Sequence, residues 1–228
     1  MIILALETAT SHQSVAVCHD QELLGYLECE VEGSLTQQLI PTIHGLLSSV
    51  SLQVSDLEGL AVSIGPGSFT GLRVALATMT AFRLALSIPL VGVSTLEGLA
   101  WNLPESEHPI LSTVLIRSGQ VYWGLFRWEN HQVVSVGTEQ IGELSEVCAA
   151  VAEPTWIVGD GWVHNQECLH QNCFPLIEAP ANARWPSAKG IALAGRVLLA
   201  NGEFLPEGCS PHYIQPSYAE RAKPLTQG

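Results

Sequence analysis

Apolar residues fall along this chain in two rhythms. Residues 2–6, 14–18 and 22–28 are short apolar runs separated by polar turns, the pattern of three strands joined as hairpins. From Leu35 to Leu47 the spacing changes: Leu35, Leu39, Ile43, Leu46 and Leu47 recur mainly every three or four positions, which predicts an amphipathic helix with Ser34 as its N-cap. Pro41 interrupts it and implies a bend there. A buried strand is predicted at Leu60–Ile64, then a glycine-rich turn and a long helix over 68–86, rich in Ala, Leu and Met. Leu90–Val93 reads as a strand, and Ser94 with Glu97 three positions later has the capping-box spacing of a following short helix.

The polar, proline-bounded stretch 104–109 marks a candidate boundary, and after it the rhythm partly repeats. Val114–Ile116, Val121–Trp128 and Val133–Ile141 read as three strands, Leu144–Val151 as a short helix and Thr155–Val158 as a strand ending at Gly159-Asp160-Gly161. Ser187–Leu199 has a helical apolar pattern stopped by Asn201-Gly202. No repeat is visible in the residues themselves, but the two halves have room for a shared architecture. The tail from Pro211 to Gly228 is expected to pack near Tyr213-Ile214 and to fray after Tyr218.

Composition sharpens this picture. With 47% hydrophobic and only 14% charged residues, the 228-residue chain has more apolar material than a disordered protein, enough for extensive burial inside the fold or against a partner. Its formal net charge is −13 with nine Lys and Arg, which works against unaided binding to a phosphate backbone; an RNA substrate would be held by a partner. Met1–Glu7 has no basic leader region, and no apolar run reaches the expected length of a membrane span, so a soluble cytoplasmic protein is the expectation. Cys18, Cys29, Cys148, Cys168, Cys173 and Cys209 are scattered without a compact framework and read as free thiols.

Several segments have the makings of chemistry. The turn Gly65-Pro66-Gly67-Ser68 lies between a strand and a helix, where glycines permit close approach and helix-start amides favour an anion. It lacks the Lys-Ser/Thr of a Walker loop, and its glycine spacing is one residue longer than the dinucleotide fingerprint, so a tight structural turn is an equal reading. Glu7-Thr8-Ala9-Thr10-Ser11 joins a carboxylate to a hydroxyl-rich turn that suits a phosphate or a hydrated metal, or simply bonds its own backbone. The possible nucleotide or anion contacts are thus Glu7, Thr8, Thr10, Gly65, Gly67 and Ser68. His164, Cys168, His170 and Cys173 gather four potential zinc ligands, but at no familiar spacing. Trp123 and Trp128 lie on an aromatic strand that suits a core or interface better than base stacking on so acidic a chain. No nucleophile elbow is present, and no catalytic triad is proposed.

Together, Ile2–Thr10, Gly65–Arg73, Ile88–Leu96 and Gly119–Trp123 closely resemble the TsaB family, also called YeaZ, with a weaker likeness at Pro211–Ile214. The resemblance implies an α/β fold of the actin-like, sugar-kinase-like (ASKHA) kind, two lobes each with a mixed sheet and packed helices. The lobes would be 1–103, completed by the C-terminal segment, and 104–209, followed by the tail 210–228. It also implies a non-catalytic subunit that pairs with the paralogue TsaD and the small ATPase TsaE. That complex transfers threonylcarbamoyl from threonylcarbamoyl-AMP to adenosine 37 of tRNAs reading codons that begin with A. ATP and a divalent metal are expected in the partner subunits, and tRNA would be met only through the complex.

The catalytic paralogue carries a H-x-x-x-H metal pair on the helix after the third strand. Here that region reads Ser34–Leu39, and no two of the eight histidines are four residues apart. Glu7, Leu35 and Leu115 stand where the family usually has Asp, His and Asp. No catalytic or metal residues are therefore assigned. The expected partner face comprises Leu39, Ile43, Leu72, Arg73, Ala75, Leu76 and Met79, which could also form a two-fold homodimer of the isolated chain. The rival reading is a small ATP-dependent phosphotransferase built on Glu7 and the Gly65 turn.

Overall fold

The computed structural model describes residues 1–30, 35–117, 119–149, 151–166, 176–212 and 214. Its strands are β1 (Ile2–Glu7), β2 (His12–His19), β3 (Glu22–Glu30), β4 (Gly59–Gly65), β5 (Leu90–Ser94), β6 (Ile110–Arg117), β7 (Gln120–Glu129), β8 (Gln132–Ser135), β9 (Gln140–Glu143), β10 (Thr155–Val158) and β11 (Leu176–Glu178). Its helices are α1 (Leu35–Ser49), α2 (Phe69–Leu86), α3 (Thr95–Ala100), α4 (Leu144–Ala149), α5 (Asp160–Val163) and α6 (Ala188–Asn201).

The strands form two mixed sheets of matching design. One has the order β3-β2-β1-β4-β5, and the other has β11-β10-β6-β7-β8, with β9 also paired to β7. In each, a hairpin of antiparallel strands continues into parallel pairs, β1–β4–β5 in the first sheet and β6–β10–β11 in the second. The repeat that the residues conceal is thus present in the topology. The predicted single strand over 133–141 is two strands, because Gly137 turns the chain at φ +98° and each piece pairs with a different half of β7. The three residues of β11 are too few to give a periodic signal, and sequence reasoning missed them.

Strand alternation decides what packs where. Leu4, Leu6, Val15, Val17, Leu60 and Val62 point to one side of the first sheet and form a core with Leu39, Ile43, Leu46 and Leu47 of α1 and Ala75, Leu76 and Met79 of α2. Ile3, Ala5, Ala16, Ala61 and Val91 point to the other side, where they meet α6 and α3. The same core takes in Ile110, Val114, Phe126 and Val158 from the second sheet, so α3 and α6 lie between the sheets. On the far side of the second sheet, Leu111, Val121, Trp123 and Ile157 pack with Val147 of α4 and Trp162 of α5. Trp123 is accordingly a core residue. The layers run α1 and α2, first sheet, α3 and α6, second sheet, α4 and α5.

Two sequence expectations are corrected here. Leu39, Ile43, Leu72, Ala75, Leu76 and Met79 are all buried within the chain's own core, so they are not available as a partner face. Their helical spacing marks the side of each helix that packs on its own sheet, and apolar periodicity alone does not distinguish a partner from a sheet. Arg73 is exposed, with its guanidinium 3.8 Å from the centre of the Phe69 ring. Second, α2 is 18 residues long with mean hydropathy 1.3, which is long and apolar enough by composition to cross a membrane, contrary to the expectation that no run is. Its buried stripe, Gly71 to Met79, packs instead on β4.

The helix ends follow the sequence signals. Ser68 caps α2 by accepting the Gly71 N–H, Ser187 caps α6 by accepting the Gly190 N–H, and Ser94 caps α3 by accepting the Leu96 and Glu97 N–H groups. Ser94 also donates its hydroxyl proton to Glu139 of the β8–β9 turn, which ties the end of the first sheet to the second sheet's hairpin. Ser34, Tyr213 and the tail beyond Ile214 lie outside the described residues.

Gly195 explains how α6 approaches the first sheet so closely. A Cβ at that position would lie 2.5 Å from the Ala61 Cβ, a rigid atom that cannot turn aside. Gly195→Ala is expected to cost about 1–3 kcal/mol of stability by overpacking. Gly45→Ala, on α1 with nothing within 4 Å of the new methyl group, should be neutral or stabilising. Urea denaturation of both variants checks the pair.

Candidate functional site

The turn after β1 and the glycine-rich turn after β4 lie side by side, because β1 and β4 are parallel neighbours. They are locked together. The Ser68 N–H donates to the Ala9 carbonyl at 2.6 Å, and the Thr8 hydroxyl donates to the Gly71 carbonyl at 3.0 Å. Gly67 has φ +156°, and a Cβ on it would lie 2.5 Å from both the Ala9 Cβ and its carbonyl oxygen. Gly65 has φ +111°, and a Cβ on it would lie 2.7 Å from the His212 carbonyl oxygen. The glycines that resemble a phosphate cradle are therefore occupied by the chain's own backbone.

A cleft of about 490 Å³ opens beside this lock, lined by Thr10, Ser11, Gln13, Ser68, Thr70, Leu115, Asp160 and His164 among others. Of the contacts expected from the sequence, only Thr10 and Ser68 are among these lining residues, while Glu7 and Thr8 are completely buried. Ser11 belongs to the hydroxyl-rich turn singled out in the sequence, whereas sequence reasoning did not assign Asp160, His164 and Thr70 to this place. The one available signal was Gly159-Asp160-Gly161 at the end of a strand, which the fold brings opposite the β1–β2 turn. The other members of the 164–173 His/Cys cluster, Cys168, His170 and Cys173, lie outside the described residues. Among the described residues, no group of three His, Cys, Asp or Glu is arranged to hold a metal.

Alternation along β1 sends Glu7 to the same side as Ile3 and Ala5, towards the second sheet. Its Oε1 accepts the Ala9 N–H at 2.6 Å and the Ser63 hydroxyl at 3.0 Å, while Oε2 has no hydrogen-bond partner among the described residues. Burial pushes its carboxyl up to about 7, and the Asp160 charge acts in the same direction. Asp160 accepts the Leu115 N–H at 2.9 Å; burial raises it to about 6, opposed by that hydrogen bond and by His164. Near the cleft, His12 stacks on Trp185 at 3.8 Å between ring centres, and His164 meets the same indole edge-on at 6.0 Å.

Chemically, the cleft offers hydroxyls, one carboxylate and one imidazole. No Lys or Arg is among its described lining residues, so a polyphosphate would find only the α2 amides to offset its charge.

Two matching mixed sheets with a cleft beside the β1–β2 turn define the actin-like, sugar-kinase-like class, and solved structures agree. The ROK hexokinase from Thermus thermophilus superposes with a TM-score of 0.52 at 11% identity, covering 89% of this chain and 100% of that one, a likeness of fold alone. YeaZ from Pseudomonas aeruginosa superposes with a TM-score of 0.80 at 25% identity, covering 93% of this chain and 99% of that one. Residues 30–175 match the family model described as TsaD: tRNA N6-adenosine threonylcarbamoyltransferase. The tRNA threonylcarbamoyladenosine biosynthesis protein TsaB of Buchnera aphidicola (subsp. Schizaphis graminum) is 32% identical over 71% of this chain and 79% of its own length. The Escherichia coli protein of that name is 30% identical over 71% of this chain and 72% of its own length. The chain belongs to the TsaB family.

The buried carboxyl of Glu7 makes stability depend on pH. Its folded value, about 7, lies above the ordinary 4.5, so the native state binds the proton more tightly. The associated stability is fully present below about pH 4.5 and is lost as pH rises to about 7. Glu7→Gln, which mimics the protonated group, should gain on the order of 3 kcal/mol relative to the parent protein between pH 4.5 and pH 8. Chemical denaturation across that range measures the difference.

Proposed function

We propose that this chain is an accessory subunit in the formation of threonylcarbamoyladenosine in tRNA, acting in the cytoplasm by pairing with a TsaD-type catalytic paralogue. The observation that carries the reading is the outer surface of α1 and α2. Ile40 is 51% exposed on α1 and Leu84 67% exposed on α2, and the small residues Gly45, Ala77, Ala81 and Ala85 are exposed on the same two helices. Small residues allow another helix pair to approach closely, while Ile40, Leu84 and Arg73 supply apolar area and a guanidinium on the exposed surface. The face expected from the sequence is thereby moved from the buried stripe of these helices to their opposite side. The family assignment supports the tRNA pathway, and the charge of −13 favours RNA being held by the partner and not by this chain.

In this reading threonylcarbamoyl passes from threonylcarbamoyl-AMP to adenosine 37 on the TsaD-type subunit, with a TsaE-type ATPase completing the assembly. ATP and a divalent metal belong to those partners. Thr10 and Ser68 line the cleft, but the glycine-rich turn is closed by Ala9 and holds no phosphate in this reading, and Glu7 supports the β1–β2 turn from beneath. The rival phosphotransferase fits less well, because Glu7 is sealed from solvent and the glycine-rich turn is filled by Ala9. The same outer face would serve a homodimer when the partner is absent.

The test is reconstitution of tRNA modification from TsaD, TsaE, tRNA and threonylcarbamoyl-AMP, with and without this chain. Modification should depend on it. Leu84→Glu, a surface change that leaves the core intact, should weaken co-elution with TsaD and lower modification at least about ten-fold by burying an unpaired charge. Equal modification without the chain, or phosphotransfer from ATP by the chain alone, contradicts the proposal.

A further inference from the structure

A second cavity of about 590 Å³ lies apart from the cleft and shares none of its lining residues. The β2–β3 turn supplies Gln21, the segment leaving α3 supplies Trp101 to Glu105, the end of β7 and its turn supply Trp128 and His131, and α6 supplies Lys189, Leu193 and Arg196. It therefore straddles the two sheets at the crossing from one to the other.

Its chemistry differs from that of the rest of the molecule. The chain has only nine Lys and Arg against 22 Asp and Glu, yet two of the nine line this one cavity. Glu105, the carboxylate in its wall, is already held by His131 at 2.7 Å. Asp20, next to Gln21 and close enough to Arg196 to feel its charge, accepts from the N-terminal ammonium at 2.9 Å. The Arg196 Nε–H and the Trp128 Nε1–H are sealed from solvent without a hydrogen-bond partner among the described residues, so the charged donors that reach the cavity are the Lys189 ammonium and the terminal guanidinium nitrogens of Arg196. Beside these donors, Trp101 and Trp128 meet edge to face at 5.0 Å between ring centres, with Leu193 adding apolar wall.

Cations and indole rings lining one cavity suit a small anion that carries a flat ring. The volume falls within the range of sites for small organic molecules. We propose that this cavity is a binding site for a mononucleotide-like anion, with its ring against the Trp101–Trp128 pair and its acidic group paired with Lys189 and Arg196. Because residues packed on both sheets contribute, occupancy would bias how the two units sit at the crossing near Pro104. The site is independent of the α1–α2 partner face.

The indole N–H signals separate this site from the cleft: Trp101 and Trp128 report on the cavity, and Trp185, stacked on His12, reports on the cleft. Nitrogen-15 NMR titration with adenosine monophosphate should shift Trp101 and Trp128. Adenosine and inorganic phosphate, which carry the ring and the charge separately, should each bind at least about ten-fold more weakly. Lys189→Gln, at an exposed position, should weaken the nucleotide by a similar factor without altering the unligated spectrum beyond its neighbours. The proposal is overturned if the nucleotide shifts only Trp185, if no indole responds at millimolar concentration, or if Lys189→Gln binds like the parent.

Discussion

The contact on which the rest depends is the clamp between the β1–β2 turn and the glycine-rich turn. Ser68 N–H to Ala9 carbonyl and Thr8 hydroxyl to Gly71 carbonyl fasten the start of α2 to the end of β1, and the close approach at Gly67 allows no side chain. This clamp sets the direction of α2, whose inner stripe then completes the core with α1 and whose outer stripe is left on the surface. It also closes the space in which a phosphate would otherwise lie. One local arrangement thus accounts both for a sugar-kinase-like fold and for a glycine-rich turn filled by its own chain.

Glu7 lies directly beneath the clamp. A carboxyl with no exposure and an unpartnered oxygen is costly as an anion, so its proton is held to about neutral pH, and Asp160 across the cleft behaves similarly through burial. Both acids arise from the ends of parallel strands, β1 and β10, where the two sheets converge. The cleft is consequently mild in charge and rich in hydroxyls. The second cavity, which shares no lining residue with the cleft, has two cations in its wall, Lys189 and Arg196 of α6.

Much of the architecture was legible in the residues, because apolar alternation and helical spacing report burial directly. The three opening strands, the helix over Phe69–Leu86 and its Ser68 cap, and the renewed strand pattern from Ile110 onward all follow from local rules. Identifying the burying surface is harder. Leu72, Ala75, Leu76 and Met79 have the same spacing whether they face a sheet of their own chain or another protein, and here they are buried inside their own chain. Asp160, His164 and Trp185 were illegible as a site because they are brought to the β1–β2 turn only by packing between the two sheets. The doubled strand order was also hidden, since topology survives where residue identity does not.

The central claim is that the chain works through the outer face of α1 and α2 while its glycine-rich turn stays closed. Hydrogen exchange of the chain alone, with ATP, and with TsaD measures both parts at once. Added protection across 38–49 and 73–86 is expected with TsaD, and no change at Ser68 to Gly71 with ATP. Protection of Ser68 to Gly71 by ATP, with no effect of TsaD on the two helices, would contradict it.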